Sequence, residues 1–240
     1  MTAAQGNENV TDEQRNELAA MITAAQNSYN ARTDSVASVN NMAGQLTNMS
    51  DSVLELVNAV DEPYAVLSDN NTVLTFYYDK KKEERSGMGV GPFSHYSQRP
   101  WQTSADAITT IVIDNSFAQC DTLTNIAWWF YELKNLTQIN GMANLKTDHV
   151  TDMSHLFAVS WSLPSVDVSH FNTSNVTNME GMFTSCWALT NLDVSNFNTE
   201  KVTNMAGMFN SLSGITTLDI SNFNTASVTN MQAYLALTSH

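Results

Sequence analysis

The 240-residue sequence is poor in cysteine and in basic residues, and each shortage excludes a class of protein. Its two cysteines, Cys120 and Cys186, are too few for a disulfide framework and do not indicate a redox compartment. Ten Lys and Arg residues stand against 24 Asp and Glu residues, which gives a net charge of −14. Nucleic-acid backbones and anionic lipids both require clustered positive charge, so neither is an expected partner.

Long apolar runs are also missing. No stretch approaches the roughly 18 consecutive apolar residues needed to cross a bilayer, so membrane insertion is not expected. Residues 1–10 lack the basic and apolar regions of a secretory signal. Two explanations stay open: a signal was removed from this chain, or the protein reaches its site by a route other than export. Hydrophobic residues make up 42% of the chain and charged residues 14%, which favours a folded protein.

An internal repeat of about 26 residues dominates the second half of the chain. Phe171–Asn196 aligns with Phe197–Asn222 without a gap. Leu145–His170 is an earlier copy in the same register, and Phe223–His240 begins a later copy that stops before its final segment. A further copy precedes residue 145, at an offset that is longer by one position. The sequence therefore predicts a repeat domain of about five units over 108–240, of which the last is incomplete.

The apolar positions of one unit predict its local structure. In the first part they fall at i, i+3, i+6 and i+7, which is the spacing of one helical face or of at least two tight turns. In the second part they follow L-x-x-L-x-V, whose last two positions alternate as in a strand. A helix and a short strand in about 26 residues predict an α/β fold, a leucine-rich-repeat-like solenoid. These apolar positions are Val176, Met179, Met182 and Phe183, followed by Leu189, Leu192 and Val194.

Several polar residues repeat with the same period. Stacked polar side chains of this kind satisfy backbone groups at the turns of a neighbouring unit, so we interpret them as structural. They are Asn178, Asn204 and Asn230, then Asn172, Asn198 and Asn224, and finally Thr147, Thr173, Thr199 and Thr225.

The repeat motif resembles a known family. The string N-V-T-N-M-x-G-M-F followed by L-T-x-L-D-V-S-N-F-N-T is similar to the BspA-like leucine-rich repeats of bacterial surface proteins, at 175–199 and, with Lys201 in place of the first Asn, at 201–225. Upstream, Tyr64–Asp79 with the glycine-rich stretch 87–93 resembles the capping segment that often precedes those repeats. The resemblance covers about 63–240 and implies a right-handed solenoid on a cell surface that adheres to proteins of a host or a neighbouring cell. It implies no catalytic residues.

The chain before the repeats predicts a disordered tail at 1–10 and a helical segment at 11–62, with a capping-box start at Thr11. Apolar residues recur along this segment at intervals of three and four. One interpretation is a coiled-coil stalk that forms a homo-oligomer, although Arg32 and Ser50 interrupt the seam; the other is a helix or helical hairpin packed on its own domain. The seam residues are Ile22, Ala25, Tyr29, Val36, Val39, Ala43, Leu46, Val53, Val57 and Val60.

Residues 63–107 predict an N-terminal β cap for the repeats. Tyr64–Leu67 and Val73–Tyr78 are β-rich runs around the polar turn 68–72, which indicates a hairpin. An uncovered first unit would expose an apolar end and an unpaired strand edge, and a cap covers both. The opposite end has no comparable cap; a truncated chain and a partner that covers this end are both open explanations.

Sequence patterns for catalysis and cofactor binding were not found: there is no Walker-type phosphate loop and no Ser/His/Asp or Cys/His signature. His149 and His155 lie near two aspartates and suggest a metal site, but the position of His149 varies between units and His155 aligns with Gly181 and Gly207. Cys186 is expected to fill the core. We expect no cofactor, no metal and no enzymatic activity. Calcium could bridge three stacked aspartates, although hydrogen bonding is favoured for them; these are Asp167, Asp193 and Asp219.

The expected function is that of a non-enzymatic, surface-displayed protein-binding or adhesion module with a cell-surface or extracellular location. The acidic surface indicates a partner with basic patches, such as a host extracellular-matrix or cell-surface protein. An alternative is a structural or receptor-binding component of a phage or other particle, and an enzyme on a degenerate repeat scaffold is a third hypothesis. The candidate partner-binding positions are Ser165, Asp167, Asn191, Asp193, Thr217 and Asp219.

Overall fold

The structure, a computed structural model, describes residues 12–31, 40–41, 43–45, 47–48 and 60–233. The chain divides into two compact units, Met1–Asp61 and Glu62–His240. In the first unit, helix α1 spans Asp12–Ala31, and the other described residues before residue 60 also have helical backbone. None of the described helical residues forms a segment with both the length and the apolar character that a membrane crossing requires.

The second unit begins with an antiparallel hairpin. Strand β1 spans Glu62–Ser68 and pairs with β2, which spans Val73–Asp79. The turn between them places Asp69, Asn70 and Asn71 in the left-handed region, with φ of 50°, 55° and 67°. Asp and Asn tolerate this region better than other residues with a side chain, because their short polar groups can bond to the local backbone. The hairpin predicted from the sequence is confirmed.

Three further strands extend this hairpin into a mixed sheet. Strand β3, Met88–Gly89, pairs antiparallel with β1. Strand β4, Thr110–Ile113, pairs parallel with β2, and β5, Gln138–Asn140, pairs parallel with β4. The order across the sheet is β3-β1-β2-β4-β5. Short 3-10 helices lie between and after these strands, at Tyr96–Gln98, Gln102–Ser104, Asn115–Gln119 and Met142–Asn144.

The repeats follow the sheet and pair with one another in parallel. Asn178 forms an isolated bridge with Asp152 on one side and with Asn204 on the other, so the bridges recur with the period of the sequence repeat. The N–H of Met179 donates to the carbonyl oxygen of Asn204 at 2.9 Å, and the N–H of Met205 donates to that of Asn230 at the same distance. Each unit is therefore hydrogen-bonded to its successor through equivalent backbone groups.

One apolar core runs from the sheet into the repeats. Phe76 of β2 stacks on Trp129, with ring centroids 4.9 Å apart and an interplanar angle of 16°. From there a column of phenylalanines continues through the units, with successive centroid distances of 5.5, 5.5 and 6.0 Å. Since all four rings are fully buried, this column stabilises the packing of each unit on the next. Its members are Phe130, Phe157, Phe183 and Phe209.

The predicted fold class, an α/β leucine-rich-repeat-like solenoid, is wrong. The described residues form an open, mixed five-stranded sheet, and between residues 145 and 233 they contain neither an α-helix nor a strand of that sheet. In the region predicted as a β cap, β2 pairs with β4, so β1, β2 and β3 belong to the same sheet as β4 and β5.

Side chains that close tight turns explain why the apolar spacing does not produce a helix. The Oδ1 atom of Asn178 accepts a hydrogen bond from the N–H of Glu180 at 3.1 Å, which competes with helical hydrogen bonding. Gly181 then adopts φ of 58°, and Ser185 adopts the same value. Left-handed residues end a right-handed helix, so two successive turns place the apolar side chains at helical spacing without a helix.

The predicted coiled-coil stalk over 11–62 is also wrong. A coiled-coil stalk over 11–62 requires a helix that continues along the whole apolar seam. The described residues contain one long helix, Asp12–Ala31, and the seam residue Val60 lies outside any helix. The tail 1–10 and the side chains of Tyr29, Val36, Val39, Leu46, Val53 and Val57 lie outside what the structure describes.

Candidate functional site

The six candidate residues of the sequence analysis lie in the second compact unit, Glu62–His240, and all of them are exposed. We call this set the polar face: Ser165, Asp167, Asn191, Asp193, Thr217 and Asp219. Ser165 and Asn191 are joined by a parallel bridge, and the repeat register places Thr217 one unit further on. The structure therefore brings residues from three units onto one surface.

Alternation of the backbone explains why these residues point to solvent. Leu192 and Val194 are 6% and 1% exposed, whereas Asn191 and Asp193 beside them are exposed. Extended chain sends successive side chains to opposite sides, so the apolar residues enter the core and the polar ones face outward. The core consequently supports the polar face from behind.

The three aspartates of the polar face share one local conformation. Each accepts a hydrogen bond at 2.9 Å through Oδ1 from the N–H of the serine two residues later. These serines are Ser169, Ser195 and Ser221. The bond caps the turn that follows and fixes the direction of the carboxylate.

The aspartates of the polar face are ionised at neutral pH. Hydrogen bonds from the side chain and the backbone of Ser195 hold the pKa of Asp193 below its usual value, although Asp167 and Asp219 act in the opposite direction. The pKa values of Asp167 and Asp219 are lowered by their own serines in the same way. The polar face therefore presents three fixed negative charges, which attract cationic groups.

Metal binding is not supported by the geometry. In the part of the chain that the structure describes, no three or more His, Cys, Asp or Glu side chains are arranged to hold an ion. His155 instead packs into the molecule: its ring lies 4.0 Å from that of Trp128, and burial lowers its pKa. Glu180 approaches the Nε2 atom of His155 at 3.9 Å.

Cys186 lies in the core, as predicted. Its Sγ donates to the carbonyl oxygen of Phe157 at 3.1 Å, and burial raises the pKa of the thiol to about 12. Cys120 is buried as well, and neither thiol is oxidised to a disulfide. Because the thiolate is the nucleophilic form, a thiol with so high a pKa is poorly suited to covalent catalysis.

Sequence reasoning missed two residues that continue the polar face. Gln138 and Asn140 of β5 are exposed, and the offset between the first two copies of the repeat aligns them with Ser165 and Asp167. The Nε2 atom of Gln138 donates to Oδ1 of Asn140 at 2.8 Å. The signal was available, because the same offset aligns the intervening Ile139 with an apolar residue of the next unit.

A second surface feature was also missed. Trp161 and Trp187 are stacked, and Trp187 is the large aromatic residue most open to solvent among those described. They occupy equivalent positions in two successive units, so the repeat register could have identified the pair. The tryptophan pair and the polar face share no residue.

The repeat region is similar to a known protein family. Residues 122–240 match a family model described as "Mycoplasma protein of unknown function, DUF285", and they make up slightly less than half of the chain. No curated protein and no solved structure gives a significant match. The matched region contains the whole polar face and the tryptophan pair.

Proposed function

We propose that this chain is a non-enzymatic protein-binding module, displayed on a cell surface, whose polar face binds a basic region of a protein partner. The observation that carries the proposal is the alignment of six exposed polar residues from three units, three of them ionised aspartates with fixed carboxylates. Surface display is supported by the resemblance of the repeat motif to BspA-like bacterial surface proteins.

The backbone under the polar face is suited to recognition. Behind the polar face, the N–H of Thr190 donates to the carbonyl oxygen of Pro164 at 3.3 Å, which joins the segment of Asn191 to that of Ser165. Along the repeats, one position of the polar face changes from Ser165 to Asn191 to Thr217, while the aspartate two residues later is constant. A rigid support with variable polar side chains allows specific contacts at a small entropic cost.

Charge supports a basic partner. The net charge of −14 gives the protein a negative long-range field, and the three aspartates concentrate negative charge on the polar face. Complementary charge accelerates association with a basic surface, and salt screens this effect over about 10 Å at 0.1 M. We therefore expect the association rate to fall as the salt concentration rises.

A binding role also agrees with the chemistry of the polar face. It contains neither His nor Cys, and one oxygen of each aspartate is already bonded to a backbone N–H. A nucleophile with an adjacent base is therefore not assembled among these six residues.

The proposal is tested by binding of the full chain to a panel of extracellular-matrix and cell-surface proteins, measured by surface plasmon resonance. The test variant carries Asp167→Asn, Asp193→Asn and Asp219→Asn, because asparagine keeps the turn-capping oxygen and removes the charge. The matched control carries Glu84→Gln, Asp121→Asn and Glu200→Gln, which removes three exposed charges elsewhere.

We expect saturable binding to at least one basic protein of the panel, with the affinity of the test variant lowered roughly tenfold and that of the control variant nearly unchanged. Equal affinities of the two variants would show that the polar face is not the binding surface. Absence of saturable binding across the panel would contradict the adhesion function itself.

A further inference from the structure

His170 occupies a repeat position that holds asparagine in the next two units. The repeat register aligns it with Asn196 and Asn222. The Nδ2 atom of Asn196 donates to the carbonyl oxygen of Val168 at 3.1 Å and to that of Phe171 at 2.9 Å. Val168 and Phe171 begin and end a tight turn, which the N–H of Phe171 closes by donating to the carbonyl oxygen of Val168 at 3.0 Å. The asparagine therefore joins its own turn to the equivalent turn one repeat earlier.

The second asparagine makes the same connection one repeat further along the chain. The Nδ2 atom of Asn222 donates to the carbonyl oxygen of Val194 at 3.3 Å and to that of Phe197 at 2.9 Å. The N–H of Phe197 closes the turn 194–197 by donating to the carbonyl oxygen of Val194 at 3.0 Å. An amide side chain donates through N–H groups and does not ionise, so these two connections do not respond to acid.

At His170 an imidazole ring stands in place of the amide. The equivalent turn before it is 142–145, which the N–H of Leu145 closes by donating to the carbonyl oxygen of Met142 at 2.9 Å. The backbone of Met142 lies close enough to the ring to favour its protonated form. The Nε2 atom of the ring is nevertheless buried without a hydrogen-bond partner among the described residues. The ring thus takes the place of the asparagine but leaves one polar atom unsatisfied.

Protonation makes this unsatisfied atom more costly. A neutral imidazole has one N–H group, whereas the protonated ring has an N–H group on both nitrogens and a net positive charge. A buried polar group without a partner costs more free energy when it is charged. The ring of Phe171 packs against that of His170, with centroids 4.9 Å apart and planes at 88°, so apolar surface rather than water lies on that side. This boundary therefore accommodates the neutral ring better than the charged one.

The balance of burial and nearby charge also favours the neutral ring. Burial lowers the pKa of His170 below its ordinary value of 6.5. Asp167, just before the turn 168–171, acts in the opposite direction, and Lys146, just after the turn 142–145, acts in the same direction as burial. The folded chain consequently binds a proton at this ring less readily than the unfolded chain does.

The stability contributed by the neutral ring depends on pH with a definite sign. Above about pH 6.5 the ring is neutral in both the folded and the unfolded chain, and the contribution is complete. As the pH falls through this value toward the lower pKa of the folded state, the unfolded chain binds the proton first. Acid therefore removes the contribution.

We propose that His170 is an acid-sensitive joint between the turns 142–145 and 168–171: its neutral ring packs between them, and its protonation loosens them. The equivalent joints at Asn196 and Asn222 are insensitive to acid, so the loosening is confined to one boundary, at the start of the repeats. The segment beside this boundary carries Ser165 and Asp167, so acid acts on one end of the polar face. The proposal does not depend on the function of that face.

The experiment is urea denaturation of the full chain at about pH 7.5 and about pH 5, on either side of the ordinary pKa of histidine. The test variant is His170→Asn, because asparagine is the residue of the next two units and does not titrate. The matched control is His149→Asn, which makes the same change at an exposed position of the same repeat unit, where the next unit also has an asparagine, Asn175.

We expect acid to lower the urea midpoint of the unaltered chain and of His149→Asn by the same amount, and to lower that of His170→Asn by less. In the unaltered chain, NMR titration of the Cε1–H proton of His170 is expected to give a pKa below 6.5.

Hydrogen exchange of the unaltered chain provides an internal comparison. Protection factors are measured at both pH values, each relative to the exchange rate of the unfolded chain at that pH. We expect acid to reduce the protection of residues 168–172 more than that of residues 194–198, where Asn196 takes the place of His170.

Three results would overturn the proposal. The first is an equal loss of urea midpoint in the unaltered chain and in His170→Asn. The second is a measured pKa of His170 at or above 6.5. The third is an equal change of protection in residues 168–172 and 194–198. The last two measurements use the unaltered chain, so they decide the question even where His170→Asn does not fold.

Discussion

The hydroxyl of Thr173 makes two hydrogen bonds to the next unit. It donates to the carbonyl oxygen of Asn198 at 3.0 Å and accepts from the N–H of the same residue at 2.7 Å. Thr147 and Thr199 make the same pair of bonds to the units that follow them. All three threonines are at most 2% exposed, so their bonds satisfy backbone groups that have no access to water.

Replacement of Thr173 by valine keeps the shape of the side chain and leaves both backbone groups of Asn198 without a partner. We expect the free energy of unfolding to fall by about 1–3 kcal/mol, measured by urea denaturation with an unchanged m-value. The control is Thr177→Val, because the hydroxyl of Thr177 makes one bond, to Thr151, at an exposed position. An equal loss in both variants would contradict the importance of the buried bonds.

At the scale of single residues, the sequence indicated the structural role of the repeated polar side chains better than it indicated backbone conformation. The prediction that repeated Thr and Asn side chains bond to the backbone of neighbouring units is confirmed for the threonines at 147, 173 and 199. The left-handed backbone of Trp128 and His155, with φ of 69° and 54°, was not predicted. Both align with Gly181 and Gly207, and glycine at an equivalent position is the usual sign of positive φ.

Among the elements, local ones were predictable and non-local ones were not. The β1–β2 hairpin is indicated by a polar turn between two β-rich runs, so its sequence signal is complete within the continuous segment 62–79. Strand β5 is very short and pairs with β4, from which it is separated by the whole segment 114–137; it is indicated only by the repeat register, which aligns Ile139 with Val166. Within the repeats, apolar periodicity shows which side chains enter the core, and tight turns satisfy that periodicity as well as a helix does.

Arg99 connects the segment between β3 and β4 to the first turn of the repeats. Its Nη1 atom donates to the carbonyl oxygens of Trp129 at 3.3 Å and Tyr131 at 2.7 Å, and Nε donates to that of Tyr96 at 3.1 Å. Nη2 donates to Oε1 of Gln102. The side chain is buried, and desolvation lowers its pKa to about 10, so it remains charged at neutral pH.

Arg99→Lys keeps the charge and loses the planar fork that reaches these carbonyl oxygens. We expect the free energy of unfolding to fall by about 2–4 kcal/mol, since several buried acceptors lose their donor. The comparison is Arg85→Lys, at a partly exposed site where the guanidinium pairs with Asp79 and lies over the ring of Tyr77, for which we expect a smaller loss than for Arg99→Lys. Thermal and urea unfolding measure the free energies of unfolding of the two variants. Equal losses of stability would show that Arg99 does not specifically connect the two segments.

At the scale of the whole molecule, the backbone bonds between successive repeat units make the repeat region of the second compact unit modular. Backbone and threonine contacts of one unit are directed at its immediate neighbours, as in repeat proteins generally. The sequence established the period and the partition of apolar and polar positions. The fold class was beyond it, because the sheet at the start of the unit depends on parallel pairing between distant segments.

Deletion of Phe171–Asn196 joins His170 to Phe197 and preserves the repeat register. We expect a folded protein that unfolds cooperatively. The m-value for unfolding of the second compact unit, Glu62–His240, falls by roughly one seventh, because m scales with the surface exposed on unfolding. Deletion of Phe171–Thr190 removes a shorter segment but breaks the register, and we expect it to lose the near-ultraviolet circular dichroism of packed aromatic residues. Cooperative folding of the out-of-register variant would contradict the modular interpretation.

The backbone bonds of Met153, Met179 and Met205 recur at three successive boundaries between repeat units, and this has a consequence for inheritance. A gene that gains or loses one repeat unit by unequal recombination produces a boundary at which these bonds can form again. Copy number can therefore change between generations without a compensating mutation elsewhere. Each added copy lengthens the row of carboxylates on the polar face by one, so recombination changes the negative charge of this face in whole steps.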